Sequence, residues 1–392
     1  MWWLSFVFHE MASGLLSVFT PLYIIALGGS LTHVGLMTSA AILLSIPASF
    51  LWGYLCDKGR RYKPYILLSF LFLAILLYTF TLTTNIYLLI VLYTIMAFFH
   101  MAHEPPKNVL IAEIYMRRYW EKAYALYEGI TEAGWLVGIF IGFYMSVQNL
   151  TPFYILLVCS ILNFVSFILS IFLIRDPAFI FERSLVKIER NILRAYKGLN
   201  AALATNGAIY TKTTMENSVK RFCIGLIAFF MATKMLFTPL PIFFSKELAL
   251  QESAIYAIFC INSIGSIIGY FLMLRLPPET KTLYRMSILR CILTFSMIII
   301  GTIKYYSVIP SALILFLLGL AYSIFHILSL SASMEVLPER MAGIFNIVTG
   351  LGEAFGSLIG PLIAGNFGFT YLFLSAGLAF FTAYLVLKRY EN

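Results

Sequence analysis

Charged residues are the scarcest feature of this sequence. They make up 11% of its 392 residues, whereas hydrophobic residues make up 61%. Soluble domains carry about 25% charged residues. A soluble fold of this length could not bury so much apolar surface, so the composition excludes an ordinary globular protein. We instead expect an all-α membrane protein, because apolar helices satisfy their own backbone hydrogen bonds in lipid.

Three further absences narrow the chemistry. The five cysteines form no C-x-x-C pair and no zinc-ligand spacing, which predicts a packing role inside the membrane. No G-x-x-x-x-G-K-S/T sequence is present, so any uphill work must come from an ion gradient, and we expect no cofactor. The N-terminus opens Met1-Trp2-Trp3 without a basic segment or a cleavage site. The first apolar run is therefore predicted to stay as a membrane span.

Long apolar runs recur along the whole chain. A membrane-spanning helix needs about 20 apolar residues. By that measure we predict twelve spans, centred near Leu15, Leu44, Leu73, Phe98, Trp135, Leu162, Met231, Ile264, Leu293, Leu317, Leu351 and Phe380.

Lys and Arg are distributed unevenly among the loops between these spans. All but five of the 27 lie in loops on one side, the exceptions being Lys107, Lys234, Lys246, Arg290 and Lys304. Loops rich in Lys and Arg stay cytoplasmic, so we expect a multi-pass cell-membrane protein with both termini in the cytoplasm. The net charge of +9 then indicates contact with anionic membrane lipid and no nucleic-acid partner.

The chain contains one unit twice. Phe19-Thr20-Pro21-Leu22 returns as Phe237-Thr238-Pro239-Leu240 at the same place in its span. A gap-free match at an offset of 222 residues pairs Glu113, Arg118, Gly134 and Gly138 with Glu335, Arg340, Gly356 and Gly360. Two halves with six spans each are parallel repeats.

The repeat defines the predicted domains. We expect six-helix bundles over residues 1–174 and 222–392, joined by a polar cytoplasmic linker over residues 175–221. Apolar residues near helical spacing between Leu185 and Leu199 predict either an amphipathic helix on the membrane surface or a solvated linker helix.

A short charged loop follows the second span. Its sequence Gly53-Tyr-Leu-Cys-Asp-Lys-Gly-Arg-Arg61 resembles the G-x-x-x-D-R/K-x-G-R-R/K loop between helices 2 and 3 of the major facilitator superfamily, with one residue fewer before the second Gly. The resemblance implies two six-helix bundles around a central cavity, lined by helices 1, 4, 7 and 10. It also implies a conformational gate formed by Gly53, Asp57, Arg60 and Arg61, with Asp57 facing the N-terminus of helix 11.

Polar and ionisable residues lie within the spans that the resemblance assigns to the cavity. A charge at the centre of a membrane costs roughly 3 kcal/mol, so these side chains must face one another or water. The candidate proton-coupling residues are Glu10, Glu104, Glu128, Glu132 and Glu353. The candidate substrate-cavity residues are His9, His100, His103, Lys234, His326 and Asn346. Static pairs such as Glu104 with Lys107 are the alternative interpretation for single residues.

Prolines lie beside several of these groups. Pro105 and Pro106 in span 4, and Pro239 and Pro241 in span 7, each remove a helical hydrogen bond. We therefore predict kinks there.

Glycines of spans 5 and 11 predict close helix packing. The glycines of span 11 resemble the G-x-x-x-G-P motif of proton-driven drug antiporters, in which that motif lies on helix 5.

The pattern favours a secondary active transporter that works by alternating access, coupled to protons through its buried carboxylates. Acids outnumber fixed bases in the spans, which favours efflux of a cationic or amphipathic organic solute. We expect a monomer and no enzyme activity. The alternative is a divalent transition-metal transporter that uses His9, His100, His103 and His326. A remote alternative is an intramembrane metalloenzyme, suggested by the sequence His100-Met-Ala-His-Glu104, which differs from H-E-x-x-H.

Overall fold

Helices account for all of the regular structure in the described part of the chain. The computed structural model describes residues 2–59, 61–115, 119–176, 208–275, 279–303, 307–336 and 343–391. Within these ranges there is no β-strand, and twelve helices are long and apolar enough to cross a membrane. The predicted all-α fold with twelve spans is confirmed, and each predicted centre falls inside a helix.

The first six spans form one bundle. Their helices are α1 (Leu4–Ala26), α2 (Leu31–Gly59), α3 (Lys63–Phe80), α4a (Ile86–His100), α4b (Glu104–Ile114), α5 (Trp120–Val147) and α6 (Pro152–Leu173).

The last six spans form the second bundle. Their helices are α7a (Ala208–Phe237), α7b (Leu240–Lys246), α8 (Glu252–Met273), α9 (Thr280–Thr302), α10 (Val308–Val336), α11 (Gly343–Phe367) and α12 (Phe369–Glu391). Helix α7a begins inside the predicted linker, because its polar first turns continue the helix beyond the apolar segment that starts at Ser218.

Glycines bring helix backbones together at equivalent places in the two bundles. The Cα of Gly138 on α5 packs against the backbone of Met11 on α1, so that a Cβ there would overlap the Met11 carbonyl. Gly360 on α11 packs in the same way against Met235 on α7a. These contacts confirm the predicted close packing, and they repeat the pairing of the first and fifth helices of each bundle.

Two spans are broken beside the centre of the molecule. The fourth span is interrupted between His100 and Glu104, where Pro105 and Pro106 occupy the first turn of α4b. The seventh is interrupted at Thr238 and Pro239. Both predicted kinks are confirmed. The related Pro21 lies inside the unbroken α1, and only the seventh span carries a further proline two residues later.

The two bundles meet along two pairs of helices. Helix α5 packs against α8, and α2 packs against α11. At the α2–α11 contact, the position of Gly35 faces Pro361 at 3.1 Å, measured from an ideal Cβ on the glycine. The arrangement leaves α1, α4, α7 and α10 facing the space between the bundles, as the resemblance implies.

The remaining predictions about loops concern residues whose placement is not described. The linker helix between Leu185 and Leu199 lies outside the described residues, as do Arg60 and the side chain of Asp57. Gly53 lies on α2 with Pro105 as its neighbour, and Arg61 is exposed. The domain boundaries and the role of the charged loop as a gate therefore stay predictions.

Candidate functional site

A cavity of about 670 Å³ lies between the two bundles. Its wall contains residues from both halves and from both broken spans. Eight of the predicted site residues line it: His9, Glu10, His100, Glu128, Glu132, Lys234, His326 and Glu353. The polar groups found in the sequence are thus brought together around one space, which removes them from lipid.

Three predicted residues do not line this cavity. His103 is buried behind the wall, and Glu104 pairs with Lys107 on α4b. Asn346 is exposed on the first turns of α11 and does not line the cavity, in contrast to the prediction. It precedes Glu353 by seven residues, or about 10 Å of helix. It therefore falls beyond the end of the cavity.

Glu132 forms a hydrogen bond between the bundles. Its Oε1 accepts from the Ser263 hydroxyl at 2.6 Å, joining α5 to α8. The same hydroxyl lies 3.5 Å from the Glu132 backbone carbonyl. Glu128 lies one turn earlier on α5 and also lines the cavity. Glu132 therefore takes part directly in the contact between the two halves.

Glu353 has a cation nearby on its own bundle. Its Oε2 lies 3.9 Å from the Lys234 Nζ, so α11 and α7a carry a loose ion pair at the cavity wall. Both side chains are partly exposed to the cavity, which allows water to screen the pair. An incoming charged group could therefore replace either partner at low cost.

Glu104 and Lys107 form a tighter pair. Lys107 Nζ lies 2.7 Å from the Glu104 carboxylate, and it also lies over the Tyr127 ring at 5.4 Å from the centroid. The other neighbour of Glu104 is His103, whose Nε2 lies 3.3 Å from Oε1. Glu104 thus forms the ion pair with Lys107 that the alternative interpretation names, and its role in proton coupling stays a prediction.

Three histidines converge in the first bundle. One ring nitrogen from each of His9, His100 and His103 lies within 4.8 Å of the others. Their ring centroids are 4.6–5.0 Å apart. His326 does not belong to this cluster. Its ring stacks on Tyr322 at 5.7 Å, and its Nδ1 lies 3.4 Å from the Tyr270 hydroxyl.

A buried arginine stands behind the cavity wall of the second bundle. Arg290 on α9 is fully buried, with its guanidinium 4.9–5.6 Å from the ring centroids of four aromatic residues. One of these is Tyr322, which lines the cavity. Arg290 donates to the Leu318 carbonyl at 3.3 Å, and no carboxylate of the described residues lies within 4.0 Å of it.

Sequence reasoning missed the neutral partners of the site. Asn163, Ser69 and Ser263 each bond to a site residue, but a single Ser or Asn in an apolar span gives only a weak signal. The first six spans contain only two Asn residues, Asn108 and Asn163, and this rarity is the sequence signal that identifies Asn163 as a candidate partner of the site. Arg290 is a charged residue within a predicted span, so its cost in lipid already indicated a buried position inside the protein.

Two bundles of six helices of membrane-spanning length around a polar cavity are the architecture of a membrane transporter. The chain belongs to the Major Facilitator Superfamily, whose family model matches residues 2–346. No sequence among curated proteins is detectably similar to it.

Solved structures of transporters share the fold. A structure described as showing substrate recognition in proton dependent oligopeptide transporters matches with a TM-score of 0.75 and 14% identity, covering 100% of this chain and 98% of the other. A peptide transporter POT in complex with sulfate matches with a TM-score of 0.72 and 10% identity, covering 99% and 93%. The human organic anion transporter MFSD10 matches with a TM-score of 0.68 and 14% identity, covering 98% and 97%.

Proposed function

We propose that this protein is a proton-coupled transporter of a cationic or neutral amphipathic organic solute, with efflux as the favoured direction. The observation that carries the proposal is the charge of the cavity. Its wall holds four carboxylates, from Glu10, Glu128, Glu132 and Glu353, and one lysine, Lys234. Such a wall attracts cations and repels anions when the carboxylates are ionised.

Coupling requires a carboxylate whose protonation changes the relation between the bundles. Glu132 fits this role because Ser263 donates to it across the α5–α8 contact. An ionised carboxylate accepts a stronger hydrogen bond than a protonated one. Protonation of Glu132 is therefore expected to weaken this contact and to favour separation of α5 from α8. The neighbours described as proton dependent oligopeptide transporters support coupling to protons in this fold.

Glu353 supplies a second candidate for coupling. Its loose pair with Lys234 can exchange between an internal ion pair and a solute with a cationic group. A cation bound at Glu353 would leave the Lys234 ammonium free to face Glu132 or water. Binding of solute and release of a proton are then linked through the small number of charges in one cavity.

Gradient-driven transport in proteoliposomes tests the proposal. Glu132→Gln and Glu353→Gln should abolish accumulation of solute driven by a pH gradient, while solute exchange at equal concentrations continues. Glu252→Gln is the matched control, because Glu252 is an exposed carboxylate on α8 outside the cavity. Full gradient-driven accumulation by the two single variants and by the double variant would show that neither carboxylate couples transport to protons.

A divalent transition metal is the second candidate cargo. The observation that favours it is the convergence of three of the four predicted histidines, two of which line the cavity while His103 lies behind its wall. Uptake of Zn²⁺ or Co²⁺ into liposomes loaded with a metal-sensitive dye separates this candidate from an organic solute. Metal flux that His100→Gln abolishes would support the metal, and organic flux that the same change leaves intact would support the first proposal.

A further inference from the structure

The histidine cluster carries an inference that goes beyond the direction and cargo of transport. We propose that His9, His100 and His103 form a binding site for one divalent transition-metal ion, built entirely within the first bundle. The three residues come from α1, from the end of α4a and from the break before α4b. His103 is the residue directly before α4b, at the break in the fourth span.

The tautomer of His9 is fixed for metal binding. Its Nδ1 lies 2.8 Å from the Asn163 Oδ1, and the amide nitrogen of Asn163 donates to the Cys159 carbonyl at 3.0 Å. That second bond orients the amide, so an oxygen faces His9 and Nδ1 must donate. The lone pair of the imidazole then lies on Nε2. Ligand histidines in metal sites are oriented in the same way by a carbonyl or carboxylate on their other nitrogen.

The second ring nitrogen of His9, Nε2, is buried and lacks a hydrogen-bond partner among the described residues. His9 itself is 2% exposed, with the Phe70 ring 5.1 Å away. A buried acceptor without a partner is costly, and a metal ion would use this lone pair directly.

The other two histidines supply the remaining ligands. Ser69 donates to the His100 carbonyl at 3.5 Å and lies 3.0 Å from Nδ1 of His103, so Nδ1 can donate to the Ser69 oxygen. The lone pair of His103 then lies on Nε2, which has the Glu104 carboxylate 3.3 Å away. A dication also needs negative charge nearby, and the nearest carboxylate is that of Glu104, which it would share with Lys107 at 2.7 Å. His9 and His100 line the cavity, so the fourth position of a tetrahedral ion would open towards the cavity.

The geometry needs only a small contraction. Nitrogen ligands at 2.0–2.1 Å from a tetrahedral ion are about 3.4 Å apart. The three ring nitrogens lie within 4.8 Å of one another, so the largest approach is about 1.4 Å. The imidazoles can approach by rotation about their side-chain bonds. Imidazole ligands select Zn²⁺, Co²⁺, Ni²⁺ or Cu²⁺ over Mg²⁺ and Ca²⁺.

Titration with Co²⁺ tests the site on the purified full-length protein, prepared without a polyhistidine tag. We expect one Co²⁺ per chain with the visible absorption of a four-coordinate ion, which Zn²⁺ displaces and Mg²⁺ does not. His9→Gln and His100→Gln should abolish this absorption. His33→Gln is the matched control, because His33 is half-buried at the start of α2, outside the cluster, and hydrogen-bonds to Ser30.

A variant outside the ligand set keeps the test decisive if a ligand variant unfolds. Asn163→Leu should weaken Co²⁺ binding by about 10- to 100-fold, the usual effect of losing a partner that orients a ligand histidine. No absorption in the native protein, or equal affinity in the native protein and the two ligand variants, would overturn the proposal. The inference does not rest on the proposed transport of an organic solute, because Co²⁺ binding is measured without transport.

Discussion

The hydrogen bond between Ser263 and Glu132 makes the sharpest prediction. Ser263→Ala removes the hydroxyl that bridges α8 and α5 at 2.6 Å, and it leaves a small side chain that fits the same space. A hydrogen bond to an ionised group contributes about 1.5–3 kcal/mol, and one to a neutral group about 0.5–1.5 kcal/mol.

These energies translate into populations of the two arrangements of the bundles. Each 1.4 kcal/mol is a factor of ten, so loss of the bond to an ionised Glu132 should shift the equilibrium by about 10- to 100-fold. Loss of the bond to a protonated Glu132 should shift it by only about 2- to 10-fold. The shift caused by Ser263→Ala is therefore expected to grow with pH, and Glu132→Gln should remove this dependence.

Distance distributions between spin labels on α5 and α8 measure the shift in detergent or in lipid nanodiscs. Ser287→Ala is the control, because the Ser287 hydroxyl is also buried but bonds only within α9, to the Leu283 carbonyl at 3.1 Å. Identical distance distributions for Ser263→Ala and the native protein at every pH would refute the role of this bond in holding the bundles together.

Four other changes probe the packing and the charges around the cavity. Gly138→Ala should destabilise the protein by about 1–3 kcal/mol, because the new methyl group meets the Met11 backbone, and a lower unfolding temperature would show it. Gly365→Ala meets nothing closer than 3.7 Å, so its unfolding temperature should stay the same or rise. Arg290→Met should keep or raise the unfolding temperature, since a buried charge without a carboxylate partner is replaced by an apolar side chain of similar length. Asn346→Ala should leave the transport rate in proteoliposomes unchanged, because this side chain lies outside the cavity.

The fold could be predicted because lipid imposes simple rules. Span length, the twofold repeat and the charged loop after α2 each follow from local sequence, and together they led to twelve helices in two bundles. The breaks in the fourth and seventh spans were equally predictable, since proline lacks the amide hydrogen that a helix requires. Pro21 illustrates the limit of that rule. A single proline left α1 unbroken, whereas two prolines two residues apart ended α7a.

The site could be predicted only in part. The free-energy cost of a charged side chain in lipid identified the residues that had to face water or one another, and most of them line one cavity. The spacing of Glu104 and Lys107 allowed that pair to be named as an alternative, because residues three apart share a helix face. The bond between Glu132 and Ser263 could not be predicted, because it joins two helices and depends on the rotation of each about its axis.

The α2–α11 contact has a mechanical consequence for the whole molecule. Glycines face side chains at two places along it, with Gly35 beneath Pro361 and Gly350 beneath Ile46. An ideal Cβ on either glycine stays 3.0–3.1 Å from its neighbour, whereas inside each bundle a Cβ on Gly138 or Gly360 would overlap a carbonyl oxygen. The helices are therefore packed less closely at this contact than within a bundle, and we expect relative movement of the bundles to occur here. The energy that decides which side is open can then come from a few polar contacts.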